Sequence, residues 1–286
     1  MKSNLYADGL ALAAIALWGT LASLGVSLAH VPPFLLTGLA LLIGSLIALP
    51  LSRFKLAAWR VPKQTLLLGV YGLFVYHFLL FLALRMAPPV EANLVNYLWP
   101  LGMVVMAPLF LPGMHIHWGH VGAAVLGFVG AGIAIVGRSG SAGGLHLGFE
   151  PGYLLALGDA FVWSSYSLLT RRVAAFPTSA VGGFAAVSGV LSLACHVVLE
   201  PATTLSTHDW WLIAAMGLGP LGGAFFLWDA AIKAGDPRRI GLMAFLTPLL
   251  STAMLVTVRG DALQANVLVA AVLIIGAAIW GSRVPH

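Results

Sequence analysis

The chain is a succession of apolar stretches, each about 20 residues long, with its charged residues gathered in the short connections between them. An α-helix of that length crosses a hydrocarbon layer about 30 Å thick. Of the 286 residues, 60% are hydrophobic and only 8% charged, against about 25% charged in a soluble domain, so lipid is the solvent for most of this surface. A membrane β-barrel would show alternation in segments of about 10 residues, and that pattern is absent. The expected fold is an all-α membrane protein of ten transmembrane helices, over 7–29, 33–51, 65–85, 90–111, 118–137, 150–171, 179–199, 209–233, 238–257 and 264–282.

Only two connections exceed ten residues, Ser52–Gln64 and the Gly/Ser-rich stretch 138–149 at the midpoint. No soluble domain fits between the spans. The midpoint stretch is the expected seam between one five-helix unit, 1–137, and a second, 150–286. Lys and Arg placement sets the orientation. With both termini in the cytoplasm, that side holds Lys2, Arg53, Lys55, Arg60, Lys63, Arg171, Arg172, Lys233, Arg238, Arg239 and Arg283. The other side holds Arg85, Arg138 and Arg259, a bias of eleven against three. Glu150, Glu200, Asp209 and Asp261 fall on that other side but weigh little in the rule.

The net charge of +5 lies in loops and forms no basic stripe with interleaved aromatics, so nucleic acid is not an expected partner. Cys195 stands alone in an apolar run, where it serves as a small packing residue. The run from Leu10 to Ala29 lacks a small-residue cleavage site and is expected to be a retained first helix rather than a signal peptide.

The two halves echo each other. Leu17-Trp18-Gly19 corresponds to Val162-Trp163-Ser164, Ala83-Leu84-Arg85-Met86-Ala87 to Ala231-Ile232-Lys233-Ala234-Gly235, and Asn96-Tyr97-Leu98-Trp99-Pro100 to Ala244-Phe245-Leu246-Thr247-Pro248. Gly132 and Gly137 correspond to Gly276 and Gly281, and all offsets lie between 144 and 148 residues. With an odd number of spans per unit, the second is inserted upside-down. Inverted repeats are a transporter signature, and their substrate sites lie near the midplane where the repeats meet.

The densest chemistry is in the fourth span, where Asn93, Asn96 or Tyr97, and Pro100 share a face. Pro100 and Pro248 are expected to kink their helices and free the carbonyls of Asn96 and Ala244. Such carbonyls are tolerated in a membrane only against protein or a wet cavity. The sixth span carries a stripe of Asp159, Trp163, Tyr166, Ser167 and Thr170, and Trp18 lies at matching depth in the first. Buried ionisable groups are costly in lipid and mark function. Asp159 and His77 are the foremost, while Asp229 and Lys233, four apart, read as an ion pair. Two patterns are decoys. Gly217-Leu218-Gly219-Pro220-Leu221-Gly222 has the spacing of a dinucleotide loop but no preceding strand, and helix packing explains it. His115, His117 and His120 lack neighbouring cysteine or carboxylate, so no metal site is expected.

With these residues in view, the chain resembles the EamA-type ten-helix permeases of the drug/metabolite transporter superfamily along essentially its whole length. Val95-Asn96-Tyr97-Leu98-Trp99-Pro100, Phe161-Val162-Trp163-Ser164-Ser165-Tyr166 and Phe245-Leu246-Thr247-Pro248 are similar to the YddG-type aromatic amino-acid exporters. Residues Ala14 to Ala22 contain no acid, unlike the small four-helix multidrug members, which place a Glu in the middle of that helix. The resemblance implies export of aromatic amino acids and similar amphipathic metabolites by alternating access through a central cavity, in a bacterial inner membrane.

On that reading Trp18, Tyr76, Tyr97, Trp99, Trp163 and Phe245 enclose an aromatic side chain, and His77, Asn96, Tyr166 and Asp229 meet the amino and carboxylate groups. Asp159 is the candidate for proton coupling, and Pro100 and Pro248 are the helix kinks. No cofactor is called for, the partners are a small-molecule substrate and the lipid bilayer, and a monomer suffices. The alternatives are a multidrug or nucleotide-precursor permease of the same superfamily. A membrane-embedded enzyme would need paired acids at one depth or H-E-x-x-H, and the sequence offers neither.

Overall fold

A computed structural model describes residues 2–138, 150–259 and 265–284. The midpoint stretch, from 139 on, and Asp261 lie outside the described residues. Among the described residues there are helices and no strands. The first half runs α1 (Lys2–Gly19), α2 (Leu21–Ser27), α3 (Pro33–Ser45), α4 (Ala48–Leu51), α5 (Lys63–Val70), α6 (Tyr76–Met86), α7 (Pro89–Asn96), α8 (Trp99–Phe110) and α9 (Trp118–Arg138). The second runs α10 (Pro151–Leu169), α11 (Val181–Leu199), α12 (Thr207–Leu218), α13 (Gly223–Ala234), α14 (Pro237–Met243), α15 (Leu246–Arg259) and α16 (Ala265–Arg283).

Seven described stretches are long and apolar enough to cross a membrane, from Leu5–Ser27 to Thr207–Ala234, and Ala265–Gly281 is a shorter apolar helix. The expected sixth span is α10, which carries Asp159, Ser164, Ser165 and Ser167, all turned into the protein. The expected ninth is divided into α14 and α15.

Several spans are interrupted, at corresponding places in the two halves. Tyr71–Val75 forms a π-helical turn between α5 and α6. Between α12 and α13, Leu221 N donates to Met216 O at 2.8 Å and Ala224 N to Gly219 O at 3.0 Å, again across five residues. Tyr97 and Leu98 separate α7 from α8, as Ala244 and Phe245 separate α14 from α15. The prolines therefore do not kink continuous helices. Pro100 is the second residue of α8 and Pro248 the third of α15, positions where a missing N–H costs nothing because first-turn donors have no partner in their own helix. The Ala244 carbonyl, expected to be freed, accepts from Thr247 N at 3.0 Å because the chain tightens to a three-residue turn there.

Packing joins the halves. α1 lies against α13, α3 against α11, α6 against α10, α8 against α14 and α9 against α16. The decoy glycines serve this packing. A Cβ on Gly222 would stand 1.8 Å from Gly217 O and 2.6 Å from Gly44 Cα, so no other residue lets the interrupted helix touch α3.

Polar ties gather at both ends of the bundle. At the end opposite the termini, the fully buried Glu200 carboxylate accepts from Phe34 N (2.9 Å) and Leu35 N (3.1 Å) at the start of α3, and from Arg85 (3.0 Å). His196 lies 3.0 Å away. At the termini end, four ties gather on the tight turn from α13 to α14. Lys233 donates to Phe176 O, Arg171 to Gly235 O, Arg238 to Asp236 and His115 O, and Arg239 to Asp8 of α1.

Candidate functional site

The helix interruptions surround a cavity of about 430 Å³ at the middle of the bundle. Its walls continue along α2, the first turn of α3, α6 as far as Leu84 and the second half of α7, toward the end opposite the termini. On the termini side it stops at a floor of aromatic rings. Trp18 meets Trp163 at 5.8 Å and Trp99 at 6.4 Å between centroids, both edge to face, and lies tilted against Trp228 at 5.1 Å. Trp99 and Trp228 stand 5.5 Å apart, and Phe225 closes on Trp163 at 5.6 Å. Such pairs contribute about 0.5–1.5 kcal/mol each beyond the area they bury. The Trp228 indole N–H donates to Ser167 Oγ at 3.0 Å, which fixes the ring at the bottom of the floor.

Above the floor the wall turns polar but carries no full charge. Tyr76 stacks on Trp163 at 5.0 Å, and its hydroxyl lies beside the Asn96 side chain. His77 Nδ1 bonds the carbonyl of Leu73, a residue of the π turn, at 2.6 Å. Asn96 Oδ1 and Thr247 Oγ1 are buried in the wall without hydrogen-bond partners among the described residues. Thr37, Asn93, Tyr97 and Ser251 add to the polar lining, and among the described residues no Asp, Glu, Lys or Arg lines the cavity. The chamber therefore suits an amphipathic molecule whose flat apolar part rests on indole rings while its polar part meets hydroxyls and amides.

Seven of the ten residues expected to bind substrate line this one cavity: Trp18, Tyr76, His77, Asn96, Tyr97, Trp99 and Trp163, with Pro248 beside them. Three do not. Tyr166 lies behind Trp163, ring to ring at 5.4 Å, in the floor's underside. Asp229 sits beyond the floor, accepting from Lys233 Nζ (2.6 Å) and Thr178 Oγ1 (2.7 Å). Phe245 is fully buried against α9, because the step at Ala244 and Phe245 turns it into the space left by Gly127, whose Cβ would stand 2.5 Å from the ring. Asp159 is also off the wall, fully buried, with neither carboxylate oxygen hydrogen-bonded among the described residues. Pro100 packs against Gly241 of α14.

Sequence reasoning missed Phe225, Trp228 and Met216, and Thr37, Thr247 and Ser251 as polar lining. For Trp228 the signal was weak, because it lies five residues from the end of its expected span, where a tryptophan ordinarily marks the interface.

The same architecture is found in known proteins. The chain is 40% identical over 268 residues, 93% of each chain, to the aromatic amino acid exporter YddG of Ancylobacter novellus. It is 28% identical to the Escherichia coli K12 protein of the same name over 68% of this chain and 69% of that one. A solved crystal structure, 38% identical, superposes with a TM-score of 0.87 over 96% of this chain and 97% of the other. The profile of the EamA-like transporter family matches twice, over residues 5–136 and 150–282. With both halves matched, the chain belongs to the EamA-like transporter family.

Proposed function

We propose that the protein exports aromatic amino acids and similar amphipathic metabolites across a bacterial inner membrane by alternating access, with both termini in the cytoplasm. The observation that carries this reading is the cavity itself, an indole floor beneath an uncharged polar wall, assembled from both halves at the depth where the helices are interrupted. The relatives named as aromatic amino acid exporters support the substrate class. Ten spans in two inverted units account for the pattern of packing. Exchanging each span of the first half with its counterpart in the second turns the α1–α13 pair into α10–α6 and returns α3–α11 and α9–α16 to themselves. An arrangement of that symmetry has a partner state in which the closed half opens and the open half closes. Asp159, buried beside the Tyr76 region, is the group we assign to proton coupling. The test is flux of radiolabelled phenylalanine, tryptophan and alanine through purified protein in liposomes. Faster flux of the two aromatic amino acids supports the reading, and equal rates for all three overturn it.

A further inference from the structure

Phe225, Asp229 and Lys233 stand at i, i+4 and i+8 on α13 and therefore share one face. Phe225 lines the cavity, Asp229 lies one turn beyond the floor, and Lys233 reaches the surface at the termini end, with its side chain 27% exposed. Across from them on α10, Trp163 lines the cavity, Ser167 bonds Trp228, and Thr170 is buried one turn further. The stripe thus marks the closed continuation of the passage.

Its counterpart in the first half is His77, Phe81 and Arg85 on α6, and there the passage is open. His77 and Phe81 line the cavity, and Arg85 stands beyond them in its pair with Glu200. The two stripes end alike in a cation, Arg85 and Lys233, and differ before it, His77 standing where the closed side has Phe225. Where the open side presents Phe81, the closed side presents the carboxylate of Asp229.

We infer that Asp229 and Lys233 form a second substrate site, a loading site for the zwitterionic head of an amino acid on the cytoplasmic side; this rests on the transport reading above. Asp229 Oδ1 is buried and has no hydrogen-bond partner among the described residues, while Oδ2 already holds Lys233 and Thr178. When the termini end opens, the substrate's ammonium takes the Asp229 carboxylate and its carboxylate takes Lys233 Nζ. The two charges then exchange each other for those of the substrate, so neither is left bare in lipid. Phe176, whose ring lies 3.5 Å from Lys233 Nζ and whose carbonyl accepts from it, holds the lysine in place meanwhile.

The test uses full-length protein in liposomes, with orientation fixed by selecting for an accessible C-terminal tag. Phenylalanine uptake is measured from each face, with phenethylamine and 3-phenylpropionate as competitors. For Asp229→Asn and Lys233→Met, half-saturation at the termini face should rise about tenfold, the effect of losing a charge-assisted hydrogen bond, with a smaller change at the other face. The competitors separate a binding role from a gate. Asp229→Asn should weaken phenethylamine and spare 3-phenylpropionate, and Lys233→Met should do the reverse. Equal effects on both competitors, or on both faces, would overturn the inference and leave the pair as a structural lock. If Asp229→Asn fails to insert, the Lys233→Met pattern decides by the same criterion. Absence of phenylalanine transport in the wild type would instead overturn the transport reading.

Discussion

Trp18 of the first half and Trp163 of the second meet edge to face with centroids 5.8 Å apart, so the floor of the cavity is a joint between the two halves of the chain. A substrate ring resting there touches both. Trp163→Ala or Tyr97→Ala should therefore slow phenylalanine and tryptophan about three- to tenfold, the equivalent of one or two ring contacts. Alanine flux should change little. Liposome uptake with insertion checked for each variant measures this, and a uniform loss with poor insertion would return both residues to packing.

Asp159 offers a test of coupling. Its buried carboxylate has no hydrogen-bond partner among the described residues, which a protein tolerates more readily for a working group than for a structural one. Asp159→Asn should keep amino-acid exchange at equilibrium and lose the dependence of net flux on an imposed pH gradient. Full retention of that dependence would make the acid structural.

The ties on the α13–α14 turn hold the termini end shut. Asp8→Asn removes the bridge from Arg239 to α1. A partly exposed ion pair contributes about 1 kcal/mol at most, so the population open at the termini end should rise up to about fivefold. In a Cys195→Ser background, labelling of Ser167→Cys by a membrane-impermeant maleimide applied from the termini side should accelerate by that factor. An unchanged rate would show that the aromatic floor alone sets the barrier.

Glu200 organises the opposite end. Glu200→Ala would leave Arg85 unpaired and two helix N–H groups of α3 without their acceptor. Leaving those two N–H groups without an acceptor costs about 1–3 kcal/mol, to be read as a lowered thermal midpoint in detergent. Arg85→Ala, whose side chain is 42% exposed, should cost less.

Topology can be checked by fusion at His286. A reporter active only in the periplasm should stay silent there, while a cytoplasmic fluorescent reporter should be bright. The reverse would invert the proposed export direction.

The cavity was largely legible because indoles, asparagine and histidine at mid-span have few other uses in lipid. Trp18, His77, Asn96 and Trp163 met on that rule alone. What the sequence concealed was local rotation. Face assignment assumes 3.6 residues per turn, and the π turn at Tyr71–Val75 and the step at Ala244 and Phe245 both depart from it. Thr247 consequently faces the cavity where Phe245 was expected, and Gly127 opens the hole that receives the phenyl ring. The kinks were expected from proline, yet Pro100 and Pro248 sit inside fresh helix starts, since the interruption precedes each of them.

The indole floor has an electrical consequence. A chamber filled by the surrounding electrolyte conducts, so the membrane voltage does not fall along it but is focused on the thin closed layer of Trp18, Trp99, Trp163 and Trp228 and the seam beneath. A full charge carried across that layer exchanges about 2.3 kcal/mol with the field for every 100 mV, over a path far shorter than the bilayer. An amino acid with balanced charges crosses it without electrical work. A cargo with net charge does not, and a potassium diffusion potential imposed on the liposomes would drive or hold it accordingly.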